Sequence, residues 1–237
     1  MDKRKLEKIK EIYENDFGRN VGEQEIIFLL KGSQNLDKMP IHDLYSIYRP
    51  ERILLESKNA IKKAGRNDFN RKEKYKKLRE LLLASVLSLT FNKYNLGKWY
   101  IKGDESPDIK LHKFDKQAGK GKEGFFLNIE IMFILSRTTN LWKENIEEKI
   151  VNFIKKIKFK KSYGRNTSLL VSLSFDQEKD IKFGDVAGLF KEREVPFKQI
   201  WILFKPSENK KEYNVFEVYP RGYDMIFNFN RDQKYFF

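Results

Sequence analysis

The chain has no cysteine and only two histidines among its 237 residues. The lack of cysteine excludes disulfides, zinc ribbons and thiol catalysis. Two histidines are too few to build a histidine-rich metal centre. Any bound metal is therefore expected to have oxygen ligands, which favours Mg²⁺ or Mn²⁺.

Long apolar runs are missing as well. No run approaches the roughly 20 residues needed to span a bilayer. Residues 1–7 are too charged for the apolar part of a secretory signal. We therefore expect a cytoplasmic protein that does not enter a membrane. The sequence also shows no glycine-rich phosphate loop, serine nucleophile elbow or internal repeat.

Positive charge is abundant. There are 48 Lys and Arg residues against 34 Asp and Glu residues, a net charge of +14. Such a chain binds polyanions by releasing their condensed counterions, so we expect a nucleic-acid partner, taken as double-stranded DNA. The residues predicted to contact it are Lys113, Lys116, Lys120, Lys122, Lys160, Lys161 and Arg165. The alternative for the group after residue 155 is favourable charge at a helix C-terminus.

Residues 125–135 form an apolar run that contains one carboxylate, Glu130. Counted by twos, Leu127, Ile129 and Ile131 share one face of a strand, which leaves Glu130 and Met132 on the other. A carboxylate at a half-buried strand position needs a cation or a donor. Glu130 is therefore expected to have a partner, in a metal site or an ordinary ion pair.

Asp108 is the natural second acid. Ile109 and the residues after it continue a strand that returns through a Gly/Lys-rich connection, so the two carboxylates are expected side by side on adjacent strands. Lys110 falls on the same strand face as Asp108. Two neighbouring acids suggest that Asp108 and Glu130 hold one divalent metal. The alternative for a lone Pro-Asp dipeptide is a turn.

Ser106-Pro107-Asp108 followed by Glu130 resembles the signature of the PD-(D/E)XK nuclease superfamily. The resemblance implies a restriction-endonuclease-like core in which Asp108 and Glu130 bind Mg²⁺ or Mn²⁺. The family lysine that orients the attacking water would stand at position 132, where this chain has methionine. A relocated Lys110 is the leading substitute, with Lys102 and His112 as weaker ones.

The family also often has an acid on the helix before its first core strand. Glu80, in the helix predicted over residues 72–92, takes that place and is counted with the catalytic residues. Its alternative is a solvated charge near the helix start. Because residues 81–89 are apolar on nearly every side, this helix is expected to lie between the sheet and another layer.

The predicted fold class is α/β, with a central mixed β-sheet flanked by helices and an additional helical N-terminal region. The domain prediction is a helical region over residues 1–69 and a nuclease-like core with a C-terminal hairpin over residues 70–237. The core order is helix, three antiparallel strands, helix and strand. The N-terminal helices are read as residues 5–15, 22–31, 41–48 and 50–64. The helix predicted over residues 142–159 has a stripe composed of Ile146, Ile150, Phe153, Ile154 and Ile157.

The leading functional hypothesis is a metal-dependent DNA endonuclease of restriction or defence type. The alternatives are a catalytically degenerate nuclease fold that binds nucleic acid or serves in assembly, and a protein-binding accessory module. The sequence is compatible with a homodimer and does not decide the oligomeric state. The aromatic tail over residues 223–237 would either pack in a core or a dimer interface, or stack on bases.

Overall fold

The computed structural model of the chain describes residues 47–48, 50–94, 96, 99–103, 108–113, 125–135, 145–164, 166–174, 181–191, 194–204 and 212–228, with part of 3–14. Eight strands in these ranges form a single sheet, in which spatial order follows chain order. The strands are β1 (Ile47–Tyr48), β2 (Trp99–Gly103), β3 (Ile109–Lys113), β4 (Phe125–Leu135), β5 (Thr167–Ser174), β6 (Ile200–Phe204), β7 (Glu212–Tyr219) and β8 (Tyr223–Asn228).

The sheet is mixed. Strands β4, β5 and β6 are parallel, and every other neighbouring pair is antiparallel. The two parallel steps are made by helices, because a parallel connection must cross from one end of the sheet to the other. The described ranges include the helices α1 (Pro50–Ala64), α2 (Arg66–Arg71), α3 (Lys76–Lys93), α4 (Ile146–Lys158) and α5 (Phe183–Lys191).

Helices cover both faces of the sheet. Helices α1 and α3 share one hydrophobic core with Ile109, Ile129 and Ile131. Helices α4 and α5 share the other core with Met132 and Ile134. Strand β4 therefore places successive side chains in opposite cores, as its period of two requires. The face of β4 that includes Glu130 is covered by α4 and α5 rather than open to solvent.

Local sequence explains the bounds of α1 and α3. Pro50 suits the first helical turn, where its missing N–H is not needed. Gly65 ends α1 with φ of 78°, a left-handed conformation that glycine adopts without strain, and its N–H donates to the Ile61 carbonyl at 2.9 Å. In α3, the Ser85 and Thr90 hydroxyls donate to carbonyls four residues earlier, each at 2.7 Å. These bonds let polar residues occupy a helix that is buried between α1 and the sheet.

Several sequence predictions of local structure are confirmed. The α/β class with a mixed sheet is correct, and β4 has the predicted bounds. The sequence left open whether the C-terminal hairpin extends or flanks the sheet, and the structure shows that β7 and β8 extend it. The helix predicted over residues 41–48 is wrong at its end, because Ile47 and Tyr48 form an edge strand paired with β2. Ile53 and Leu54 of α1 lie in the same core as α3. The boundary predicted at residue 69 therefore does not coincide with a break between cores.

No helix in the described ranges is long and apolar enough to cross a membrane. The N-terminal helix predictions over residues 22–31 and 41–46, and the tail beyond residue 228, lie outside the described residues.

Candidate active site

A cavity of about 530 Å³ opens at the carboxyl ends of the parallel strands. Late residues of β4, β5 and β6 form its floor, and α2 and the first turns of α3 form its wall. Ligands of open α/β sheets bind at this end of the strands. The polar residues that line the cavity are Asn70, Glu73, Lys76, Arg79, Glu80, Asp108, Glu130, Lys158, Ser172 and Tyr213.

The two predicted acids lie together in this cavity. In the antiparallel pairing of β3 with β4, Ile109 is opposite Ile129, so Asp108 follows in register opposite Glu130. Side chains directly opposite in such a pair have Cβ atoms about 5 Å apart. An Asp108 carboxylate oxygen, Oδ2, accepts a hydrogen bond from the Ile131 N–H at 2.8 Å. The strand alternation thus identified both acids and their shared face.

The cation beside Glu130 comes from α4. Lys158 Nζ donates to Glu130 Oε1 at 2.7 Å, and the two side chains are 11% and 16% exposed. Lys158 is the last residue of α4, on the buried side that also includes Ile150 and Ile154. Sequence reasoning missed this residue. The signal was available, since Lys158 follows Ile154 by one helical turn and is a cation on an otherwise apolar stripe.

Met132, at the position where the family has its lysine, is 4% exposed in the core formed with α4 and α5. It lies on the same face of β4 as Glu130. An ammonium carried by α4 therefore arrives over the same sheet face from which a lysine at position 132 would extend.

Tyr163, in the loop after α4, brings a third kind of group. Its ring packs on Phe197 with a centroid distance of 4.5 Å. Its hydroxyl is buried and has no hydrogen-bond partner among the described residues. Burial, reinforced by the carboxylates of Glu130 and Asp108, raises the pKa of Tyr163 to about 12. The phenol therefore remains protonated at neutral pH.

Glu80 occupies the wall of the same cavity. It is 5% exposed, so it is not a solvated surface charge. Burial raises the pKa of its carboxyl, the Asp108 carboxylate adds to the rise, and the Lys77 ammonium opposes it. Lys77 Nζ lies 3.5 Å from Glu80 Oε2 and donates to the Asp108 carbonyl at 2.6 Å. Glu80 and Asp108 are thus joined through one lysine.

The substitutes predicted for the family lysine have different positions. Lys110 lies on the predicted face, opposite Asn128, and is not among the described residues that line the cavity. The backbones of Lys102 and His112 are in β2 and β3, whereas their side chains lie outside the described residues. Lys158 is the lysine in contact with Glu130 within the described ranges.

The residues predicted to contact nucleic acid divide into two groups. Lys160 and Lys161 are exposed in the turn between Lys158 and Tyr163, next to the cavity. Lys113 ends β3 at the opposite end from Asp108, so it does not lie beside the acidic pair. The hairpin register requires this, since Asp108 directly precedes β3 and lies opposite Glu130 of β4, whereas Lys113 is opposite Phe125. Lys116, Lys120, Lys122 and Arg165 lie outside the described residues.

Comparisons with known proteins were made at three levels. No protein-family model, curated protein or solved structure matched this chain.

Proposed function

We propose that the chain is a metal-dependent nuclease with a restriction-endonuclease-like core, hydrolysing phosphodiester bonds in DNA as restriction and defence enzymes do. The observation that supports this most strongly is the contact of 2.7 Å between Lys158 and Glu130, opposite Asp108. The sequence motif lacks its cation at Met132, and α4 provides one on the same sheet face.

The order of elements supports the same proposal. Helix α3, the antiparallel strands β2, β3 and β4, helix α4 and strand β5 follow one another in the order expected for this superfamily. Asp108 precedes the second of these strands and Glu130 lies within the third. Glu80 lies on the preceding helix, where the family often has its additional acid.

The donors present are compatible with Mg²⁺ or Mn²⁺. Among the described residues there is no group of three or more His, Cys, Asp or Glu side chains that could hold a metal. Mg²⁺ is commonly held by one or two carboxylates and completes its shell with water and substrate phosphates. Asp108 and Glu130 would hold the ion. The ion would supply Lewis acidity and neutralise phosphate charge.

Lys158, which lines the cavity, would act on the substrate directly. An ammonium has three N–H donors, and one of those on Lys158 goes to Glu130. The remaining donors suit an attacking water or a phosphate oxygen, whose developing negative charge the ammonium stabilises. Lys76 lines the cavity and is exposed, in a position to contact the backbone of a bound strand.

A second candidate function follows from the same contacts. Glu130 already accepts from Lys158, and Asp108 already accepts from the Ile131 N–H, so both carboxylates have partners within the chain. That arrangement also suits a catalytically degenerate nuclease fold that binds nucleic acid or serves in assembly. The positive charge of +14 would then act in binding alone.

One assay separates the two candidates. The purified protein would be incubated with plasmid DNA, structured RNA and single strands, in Mg²⁺, Mn²⁺ or EDTA. If the protein is a metal-dependent nuclease, it should cleave DNA in Mg²⁺ or Mn²⁺ and should not cleave it in EDTA. The variant Asp108→Asn should not cleave DNA in either metal. Salt-sensitive binding without cleavage in any metal would refute the enzyme and favour the degenerate fold.

A further inference from the structure

A second cavity, of about 560 Å³, lies at the amino ends of the parallel strands, away from the acidic pair. Early residues of β4 and β6 and the last turn of α3 border it. Its aromatic and long apolar residues are Phe91, Tyr94, Leu96, Trp99, Leu127, Trp201, Tyr223 and Met225. Its polar residues are Lys113, Lys198, Gln199, Glu217, Arg221 and Asp224.

Aromatic rings form much of the wall. Phe91 meets Trp201 edge to face at 5.1 Å and meets Trp99 at 5.9 Å between ring centroids. Flat heteroaromatic rings stack on such side chains with little regard to their identity, since each ring offers a π face. The shape and lining of the cavity therefore suit a planar ligand.

Polar groups are buried behind these rings. Trp201 is 3% exposed, and its indole N–H has no acceptor among the described residues. A buried donor without an acceptor is unfavourable, which suggests that a ligand supplies one. Glu217 is 2% exposed and accepts from Gln199 Nε2 at 3.0 Å. Burial raises the pKa of the Glu217 carboxyl, against the opposing influence of Gln199 and Arg221. The wall thus offers both a donor and a carboxyl group to the edge of a ring.

The rim has apolar and cationic side chains, together with the exposed carboxylate of Asp224. Among the described residues the exposed large hydrophobic side chains are Tyr94, Leu96, Ile157 and Tyr223, and all but Ile157 line this cavity. Lys198 and Arg221 are exposed at the same rim. Lys113 Nζ donates to the Leu96 carbonyl at 3.1 Å and lies 6.0 Å from the Trp99 ring centroid. A phosphate attached to the planar ligand would meet these cations.

We propose that this cavity binds a purine or pyrimidine base that carries a phosphate. A plain anion would use the rim cations and leave the aromatic wall and the Trp201 N–H without a role. A purely apolar ligand would leave that N–H and Glu217 without partners. A nucleotide uses all three features, because base edges carry both donors and acceptors. The inference goes beyond the proposed cleavage and does not depend on it.

The ligand has two sources, a free nucleotide or an unpaired base in a strand. Calorimetric titration with AMP, GMP, CMP and TMP tests the first, with ribose 5-phosphate as the control that lacks a base. Titration with a short single strand, against the same strand with abasic sites, tests the second. We expect at least one base-containing ligand to bind at least about tenfold more tightly than its base-free control.

Variants assign that binding to the cavity. Trp201→Phe keeps an aromatic ring and removes the N–H, and should weaken binding about tenfold. Tyr223→Ala changes an exposed residue of the rim and serves if Trp201→Phe does not fold. Ile157→Ala is the matched control, because Ile157 is exposed outside the cavity. Asp108→Asn should retain the binding, which separates this site from the cleavage site.

Two results would overturn the inference. One is equal affinity for base-containing and base-free ligands in both titrations. The other is base binding that neither Trp201→Phe nor Tyr223→Ala weakens relative to Ile157→Ala.

Discussion

Lys158 and Glu130 form an ion pair of 2.7 Å with little solvent around it. Breaking such a pair leaves an uncompensated charge in a poorly solvated position. We expect Lys158→Met to lower the free energy of unfolding by about 3 kcal/mol. In the double variant with Glu130→Gln, the loss should be smaller than the sum of the two single losses by at least about 1 kcal/mol. Urea unfolding of the four proteins measures both quantities, and additive losses would contradict a direct interaction.

Glu217 provides a pH-dependent contribution to stability. Burial raises the pKa of this carboxyl above its ordinary value of 4.5. The folded state then holds the proton more tightly than the unfolded state, so this contribution falls as pH rises above about 4.5 towards the raised pKa. We expect Glu217→Gln to be more stable than the wild type at pH 7, with the difference shrinking as the pH falls from the raised pKa towards 4.5. Thermal unfolding from pH 4 to pH 8 tests this, and a difference that grows towards acid pH would contradict it.

At this scale the sequence predicted the acids but not their cation. Asp108 and Glu130 follow from strand alternation, which fixes the face of each side chain once the strands are known. Lys158 does not follow, because its contact joins α4 to β4 across many residues. The sequence also could not decide whether Glu80 is a solvated surface charge or a buried one. Its burial depends on how α3 packs against the neighbouring layers, which the local sequence does not show.

At the scale of elements, α4 shows how closely a helical stripe must be phased. Ile150 and Ile154 are fully buried, Ile157 is 43% exposed and Lys158 is 9% exposed. The sequence prediction placed Ile157 on the buried stripe, because spacings of three and four residues both keep to one helix face. In the structure the buried stripe continues from Ile154 to Lys158, four residues later, and Ile157 faces outward.

This phasing predicts a contrast in stability. Ile154→Ala should lower the free energy of unfolding by about 3 kcal/mol, because it opens a cavity beneath α4. Ile157→Ala should change it by less than about 0.5 kcal/mol, because the side chain is at the surface. Chemical unfolding of the two variants checks the contrast. Equal losses would mean that the stripe runs through Ile157 as the sequence alone indicates.

Most elements could be predicted from hydrophobic periodicity, and β4 was predicted with its observed bounds. Strand β1 could not. Ile47 and Tyr48 are extended because they pair with Ile101 and Lys102, a contact about fifty residues along the chain. Local propensity carries no information about such a pairing.

In the whole molecule, two cavities lie at opposite ends of the parallel strands. The acidic pair and Lys158 lie at the carboxyl ends of the parallel strands, and the aromatic cavity with Trp201 lies at their amino ends. Lys113 lines the second cavity. The sequence alone could not place it there, because its position depends on the register of the hairpin formed by β3 and β4. The net charge of +14 predicts attraction to polyanions without assigning it to either end.

We propose that Lys158 provides the ammonium that the chain lacks at position 132, where it has Met132. The most direct measurement is single-turnover cleavage of plasmid DNA in Mg²⁺ by the wild type, Lys158→Met, Lys110→Met and Lys156→Met. Lys156 is an exposed lysine of the same helix and is the matched control for charge. We expect Lys158→Met to lower the cleavage rate by at least about a hundredfold, because it removes a group that stabilises transition-state charge. Lys156→Met should change the rate little. An unchanged cleavage rate in Lys158→Met would contradict the proposed role of Lys158. So would a hundredfold loss in Lys110→Met that Lys158→Met does not show.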